Sequence, residues 1–356
     1  LIVFLDGNME RISGQPNVKV SCLNSLNSLN SLDRLCGFVC VALLLLTSTA
    51  NAQWFERSWN GMGTRIHVEL WGETELQANE LIDQVHEEFL RLEASMSPYI
   101  ESSELSEVNR LASKAPVKVS SELIQLIKKS LQVSQLSHGA FDITYASIGR
   151  YYDYRNKRAP DQSQIEANLE AINYRHVVID EQKSTIYFSH SHVYIDLGGI
   201  AKGYSVDRAI GILKKAGITS GLVSAGGDTR LIGNKLGKPW IVAIKDPRRE
   251  DASAVLLPLE EVAISTSGDY ERYFVQDGVR YHHIISPKTG KSAGEVQSVT
   301  IIGPDSTTTD ALSTTVFVLG VEKGLELVER LPGIDAIIVD QQRKMHYSSE
   351  LTAPQK

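Results

Sequence analysis

Asp310 and Thr314 stand four residues apart in Asp310-Ala-Leu-Ser-Thr314. In a helix that spacing places them one turn apart on one face, so a carboxylate and a hydroxyl oxygen converge on one point. Oxygen donors with no soft ligand favour magnesium, or calcium, over zinc, and magnesium commonly joins few protein groups to substrate phosphate oxygens and water. The plainer alternative is that Asp310 caps the helix and Thr314 bonds a backbone carbonyl.

Other residues with chemical potential sit in glycine-rich turns. In Ile195-Asp-Leu-Gly-Gly-Ile-Ala-Lys-Gly-Tyr204 a β-branched run ends in Asp196, Gly198 and Gly199 turn the chain, and an apolar-periodic segment runs to Gly217. That pattern reads as strand, turn and helix start. The unpaired N–H groups of such a helix start can receive an anion. Lys202 lies in the first turn, where a cation opposes the helix dipole by roughly 0.3 to 1 kcal/mol, so Asp196, a bound phosphate, or both should compensate it. The alternative is a lysine that faces solvent. Gly226-Gly-Asp228 and Ser265-Thr-Ser-Gly-Asp269 are further turns that present an aspartate. With Asp310-Ala-Leu-Ser-Thr-Thr315, four aspartate-bearing stretches in one chain suggest a shared polar site. Tyr281-His-His-Ile-Ile-Ser-Pro287 adds two histidines at a strand edge; alternation puts His282 and His283 on opposite faces, so at most one enters a given pocket. An imidazole there could take a proton from a hydroxyl nucleophile. His190 and His192 fall in a turn-like segment and need no role.

These turns must be held by regular elements. Thr64 to Leu70 alternates like a strand, and Glu73 to Met96 repeats Leu81, Val85, Phe89 and Leu92 at helical spacing. Pro98 marks Met96 to Asn109 as a loop with Tyr99 as its large aromatic. A second helix is expected from Ser121 to about His138, with Gly139 as C-cap. Tyr151 to Asn173 is polar and reads as a surface insertion. His176 to Asp180, Thr185 to Ser189 and Val193 to Asp196 read as a three-strand meander. Strands follow at 221–225, 240–245, 262–266, 272–275 and 299–302, helices at 308–319 and 321–331, and a closing strand at 336–339. Strands come in runs with helices between the runs. The expected fold is therefore α+β, one compact domain over residues 53–356 with mostly antiparallel sheet and packed helices.

Composition agrees with a globular protein: 356 residues, 42% hydrophobic, 22% charged, net charge -7. The negative balance and the lack of a basic patch argue against nucleic-acid binding. Residues 1–52 read as an upstream segment and a signal peptide. The apolar run from Leu35 to Thr47 precedes Ala50-Asn-Ala52, a small-residue cleavage site, so the expected mature chain starts at Gln53 and is exported to the periplasm. Cys22, Cys36 and Cys40 all precede that cut, which suits an oxidising compartment. Neither Cys36 nor Cys40 has the context of a lipid-modified cysteine, so a soluble exported protein is favoured over a lipoprotein.

Taken together, the motifs resemble the ApbE family, the FAD:protein FMN transferases. In order they are Met62-Gly-Thr64, Met96-Ser-Pro-Tyr99, Gly139-Ala-Phe-Asp-Ile-Thr144, Asp196 to Tyr204, Ser224-Ala-Gly-Gly-Asp228, Ser265 to Tyr270, His283-Ile-Ile-Ser-Pro287 and Asp310 to Thr314. The resemblance implies an enzyme that binds FAD with magnesium, joins the FMN phosphate to a threonine hydroxyl on another exported protein, and releases AMP. It implies flavin contacts at Met62, Tyr99, Ala140, Phe141, Asp142, Asp196, Lys202 and Ile285. It implies metal ligands at Asp310, Thr314 and the Gly199 carbonyl, with His283 as the base. Implied acceptors are flavoprotein subunits of membrane redox complexes, such as the sodium-pumping NADH:quinone reductase, with peripheral inner-membrane association. A magnesium-dependent FAD pyrophosphatase and a non-catalytic flavin-binding protein are the alternatives.

Overall fold

The computed structural model describes residues 3–4, 52–249 and 252–352. The upstream segment and signal peptide expected over residues 1–52 thus fall almost entirely outside the described residues. The backbone of Val3–Phe4 pairs antiparallel with Val242 and Ala243.

An eight-stranded sheet runs in the order Met345–Tyr347, Asp335–Asp340, Val296–Gly303, Ala263–Gly268, Asp228–Ile232, Gly221–Ala225, Thr64–Gly72, Gln53–Gly61. Every neighbouring pair in it is antiparallel. Period-two alternation fixes its faces. Ile66, Val68 and Leu70 point to one side, where they meet Leu81, Ile82, Val85 and Phe89 of the helix Glu75–Met96. The helix Ala201–Lys215 adds Val206, Ala209, Ile210 and Leu213 to the same cluster. Nearer the other edge, Leu312, Val316 and Phe317 of the helical span Ser306–Val328 pack on Val299, Ile301 and Ile338. Gly320, at φ 77° and ψ −171°, breaks that span into the two helices read from the sequence.

A second apolar cluster is built from the helices Glu104–Leu111 and Ser121–Leu136 with a small sheet of Val117–Lys118, Thr185–Phe188 and Val177–Asp180. It reaches Ile195, Leu197, Ile200 and Ala311, so the turn after Asp196 is fixed by packing from both its sides. The α+β class, the antiparallel sheet and the packed helices are as expected.

Four local readings change. Pro98 keeps Ser97 to Ser103 irregular, but the Ser103 hydroxyl accepts from Ser106 N and starts a helix with Leu105 and Val108 buried, so residues 104–111 are not loop. The stretch from Tyr151 to Asn173 is not a surface insertion: it contains the helix Gln162–Leu169, and Tyr152 and Ile165 pack against Ile148 and Ile285. The Tyr152 and Tyr154 hydroxyls donate to the Gly290 and His282 carbonyls. Val193 to Asp196 is extended without a strand partner, because its backbone bonds go elsewhere: Ile195 to both ends of the Asn109 amide, Tyr194 N to Ser147 Oγ, and Asp196 N to Ile143 O. Finally, the strand near 336–339 does not close the fold, since Met345–Tyr347 pairs beyond it.

Candidate active site

The helices that carry Lys202 and Asp310 touch at Gly203. A Cβ on Gly203 would lie 2.1 Å from Ser306 O and 2.7 Å from Asp310 Cβ, so glycine permits the approach. The Gly203 N–H then donates to Asp310 Oδ2 at 3.0 Å. One turn on, Asp207 locks the contact by accepting from Ser306 N, Thr307 N and the Thr307 hydroxyl, the otherwise unpaired donors of the second helix start. Asp305, not Asp310, caps that helix: its Oδ1 accepts from Thr308 N at 2.8 Å. The capping alternative for Asp310 therefore falls, and its carboxylate is left inside the protein.

That carboxylate shares a cation with a second one. Lys202 Nζ donates to Asp228 Oδ2 at 2.7 Å and lies 3.4 Å from both oxygens of Asp310. Both aspartates are 2% exposed, whereas the Lys202 side chain is 25% exposed, so the cluster is open on the lysine side. Burial works against the Lys202 charge, but Asp228 and Asp310 outweigh it and hold the amine above the usual lysine range. Burial, and then the charge of Asp228, push the Asp310 carboxyl up to about 7 against the pull of Lys202. Lys202 does not simply face solvent.

Thr314 lies one turn along the helix from Asp310. Its Oγ1 is 3.3 Å from Ser267 Oγ, which is itself 2.8 Å from Ser313 Oγ. A Cβ at Gly199 would lie 3.4 Å from Thr314 Oγ1 and 3.3 Å from Phe141 Cε2, so the Gly198-Gly199 turn sits against both side chains. Gly199, Phe141, Lys202, Asp310 and Thr314 are thus brought to one place. The donor set fits a hard divalent cation such as magnesium: two buried carboxylates and hydroxyls, with the Gly199 backbone close by and no sulfur.

The two histidines separate as alternation requires. His282 Nε2 bonds the Ala293 carbonyl at 2.6 Å, its Nδ1 accepts from Ile284 N, and its ring meets Phe317 edge-on at 5.5 Å. Its polar atoms are spent. His283 Nδ1 is buried and has no hydrogen-bond partner among the described residues, while its backbone N donates to the Arg272 carbonyl at 3.1 Å. Burial, then the charges of Arg272, His282 and Lys202, push the His283 imidazole down to about 3. It is neutral at ordinary pH, with one unprotonated ring nitrogen.

Asp196 Oδ1 accepts from Gly198 N at 2.6 Å, and burial raises its carboxyl against that bond and the Tyr145 hydroxyl. Met62 occupies the turn between two strands at φ 50°, its N–H donating to Glu93 Oε1, and the next residue's carbonyl, Gly63 O, accepts from Arg272 Nη2 at 3.1 Å. Tyr99 is 83% exposed, a large aromatic with its ring free. Ala140 is half-buried in the turn that precedes Phe141. Two of the expected flavin residues have other duties. Asp142 accepts from Thr144 N, Thr144 Oγ1 and Tyr174 N, so both its oxygens are committed to holding the chain. Ile285 is 4% exposed and packs with Ile148, Tyr152 and Ile165.

The sequence did not single out Asp228 as a partner of Lys202, nor Ser267 or Arg272. Asp228 and Ser267 lie in stretches already marked by their glycines, though both belong to sheet strands; nothing in the local pattern around Arg272 points to it. Among the described residues, the group of histidine and carboxylate side chains close enough to share an ion is elsewhere: Glu56, His67 and Glu69 on the first two sheet strands. Lys235 lies 3.1 Å from Glu69 and supplies positive charge there.

Comparison with known proteins places this arrangement. Residues 62–338 match the ApbE family. Over 293 residues the chain is 31% identical to the FAD:protein FMN transferase of Klebsiella pneumoniae (strain 342), covering 81% of this chain and 90% of that protein. Over 282 residues it is 32% identical to the FAD:protein FMN transferase of Vibrio cholerae serotype O1, covering 77% and 82%. The crystal structure of the ApbE protein from Thermotoga maritima superposes with a TM-score of 0.78 at 36% identity, covering 84% of this chain and 98% of that one. The flavin transferase ApbE from Vibrio cholerae gives 0.76 at 29% identity, covering 85% and 99%. With sequence and fold in agreement over most of its length, this chain belongs to the ApbE family.

Proposed function

We propose that the protein is an FAD:protein FMN transferase that uses magnesium to move the FMN part of FAD onto a threonine hydroxyl of an exported flavoprotein, with release of AMP. The names of its relatives support flavin transfer. The observation that carries the finer reading is the buried pair Asp228 and Asp310, gathered around Lys202 beside the hydroxyls of Thr314 and Ser267.

Asp310, Thr314 and the Gly199 carbonyl would hold the metal, with Asp228 and Ser267 beside them. When bound, magnesium neutralises charge on the phosphate oxygens and so lowers the cost of bringing an oxygen nucleophile to phosphorus. Tyr99 offers aromatic surface to the isoalloxazine ring, whereas Phe141, expected as a flavin contact, is 4% exposed and packs in the apolar cluster behind the Gly199 turn. The neutral His283 imidazole accepts the threonine proton. The threonine oxygen forms a bond to the FMN-side phosphorus, the bond from that phosphorus to the bridging oxygen breaks, and AMP leaves with the electron pair. Substrate tunes the base: a pyrophosphate close to His283 offsets the two cations that hold its proton affinity down.

Acceptors of this chemistry are threonine-bearing flavoprotein subunits of membrane redox complexes, of the sodium-pumping NADH:quinone reductase type, met in the periplasm at the inner-membrane surface. No helix among the described residues is long and apolar enough to cross a membrane. The test combines the protein, FAD, magnesium and an acceptor domain. Acceptor-bound flavin and AMP should appear together and only with the acceptor threonine intact. AMP with free FMN, whether or not acceptor is present, would instead mark a pyrophosphatase.

A further inference from the structure

Charge balance around the site calls for one more cation. The cluster of Lys202, Asp228 and Asp310 holds two carboxyl groups for one ammonium, so Lys202 has its charge answered before any substrate arrives. A pyrophosphate diester brings two further negative charges, of which magnesium and Lys202 together, set against the two carboxylates, answer one.

Arg272 is a second cation on the His283 side of the site. Its backbone carbonyl holds His283 N at 3.1 Å, so the two residues are registered side by side, and the His283 Nδ1 has no partner among the described residues. Its guanidinium reaches back to the Met62-Gly63 turn, where Nη2 donates to the Gly63 carbonyl at 3.1 Å. That acceptor is neutral and takes a single N–H of the five an arginine offers, so the fork is oriented while its charge is not answered by the bond. Its field extends to Asp196 and His283, groups that Lys202 also influences. Two cations thus flank the same pair of groups. The side chain is solvent-exposed, which leaves room for a ligand on its free edge.

We propose that Arg272 is a phosphate-binding residue of this site, whose guanidinium, tethered to Gly63 O, grips the pyrophosphate of FAD beside His283. The inference rests on the transferase reading above. Arginine matches phosphate with parallel N–H···O bonds, which lysine cannot reproduce, and charge-assisted bonds of this kind are about twice as strong as neutral ones. Arg272 would also carry the Met62-Gly63 turn toward the bound substrate, which couples the flavin end of the site to the phosphate end.

The test measures flavin-fluorescence titrations of FAD and of riboflavin, which lacks phosphate, with the wild-type protein, Arg272→Gln and Arg272→Lys. FMN transfer by the wild type is followed alongside. The expected result is an FAD dissociation constant raised about tenfold or more in Arg272→Gln, with riboflavin affinity unchanged, partial recovery in Arg272→Lys, and a flatter dependence of FAD affinity on salt. Equal losses for FAD and riboflavin would show that Arg272 only braces the turn, and unchanged FAD affinity would show that it has no part in binding; either overturns the inference. A wild type that binds FAD but transfers no FMN defeats the transferase reading, and a phosphate-dependent loss in Arg272→Gln would still support Arg272 as a phosphate-binding residue.

Discussion

The Gly203 N–H and the Asp310 carboxylate meet at 3.0 Å across a sequence separation of 107 residues. The bond exists because two helices approach at a glycine, and it delivers a buried carboxylate to the lysine at the start of the first helix.

Gly203→Ala is expected to force the helices apart, since the new Cβ would sit 2.1 Å from the Ser306 carbonyl oxygen. Overpacking of this kind costs about 1 to 3 kcal/mol. Urea unfolding should show that loss together with a larger fall in flavin transfer. A variant with native stability would mean that the helix contact is looser than described.

Asp310→Asn keeps the size of the side chain and removes its charge. Magnesium affinity by calorimetry should drop at least about tenfold, or 1.4 kcal/mol, with the fold retained. Asp228→Asn should weaken the metal less and loosen Lys202, which loses its 2.7 Å partner. Equal magnesium affinity in wild type and Asp310→Asn would remove Asp310 from the metal site.

The raised Asp310 carboxyl sets a pH dependence. With its pKa pushed up to about 7, the group is protonated below that pH, and a cation binds only once the proton has left. Magnesium affinity should therefore be full in alkali and fall as pH drops through 7 toward about 6, with proton release on binding near neutrality. His283, pushed down to about 3, stays neutral across this range and contributes nothing to the trend. Calorimetry in buffers of different ionisation enthalpy reads the released protons; the absence of any release near pH 7 would contradict the assignment.

Tyr99 and Asp142 should separate cleanly. Tyr99→Ala removes a side chain that is 83% exposed, so stability should change by less than about 0.5 kcal/mol while FAD binding weakens by roughly 0.5 to 1.5 kcal/mol. Asp142→Ala should cost about 1 kcal/mol of stability through the lost cap on Thr144. Thermal melts and FAD titrations on both variants check this, and a destabilised Tyr99→Ala would show that its loop depends on the ring.

Much of this was legible before any coordinates. Helical spacing gave the buried faces of 75–96 and 121–136, and Gly320 announced the break between the last two helices. Asp310 and Thr314 could be paired because their relation is local. What the sequence withheld was non-local. Lys202 and Asp228 are 26 residues apart, and Lys202 and Asp310 are 108 apart. No periodicity encodes which carboxylate a lysine will meet. The stretch around Tyr152 and Tyr154 misled for a related reason: its charged residues suggest a solvated insertion, yet its tyrosines reach carbonyls 138 and 128 residues away. The extended run before Asp196 looked like a strand because β-branched residues fit buried extended backbone, whether its partners are a ladder or the side chain of Asn109.

The most direct test of the central claim is the intact mass of a purified threonine-bearing acceptor domain after incubation with this protein, FAD and magnesium. The account predicts a gain equal to FMN less one water, with AMP released in equal amount, lost when the acceptor threonine is alanine and strongly reduced with Asp310→Asn. An acceptor of unchanged mass while AMP and free FMN accumulate would contradict it and make the protein a pyrophosphatase.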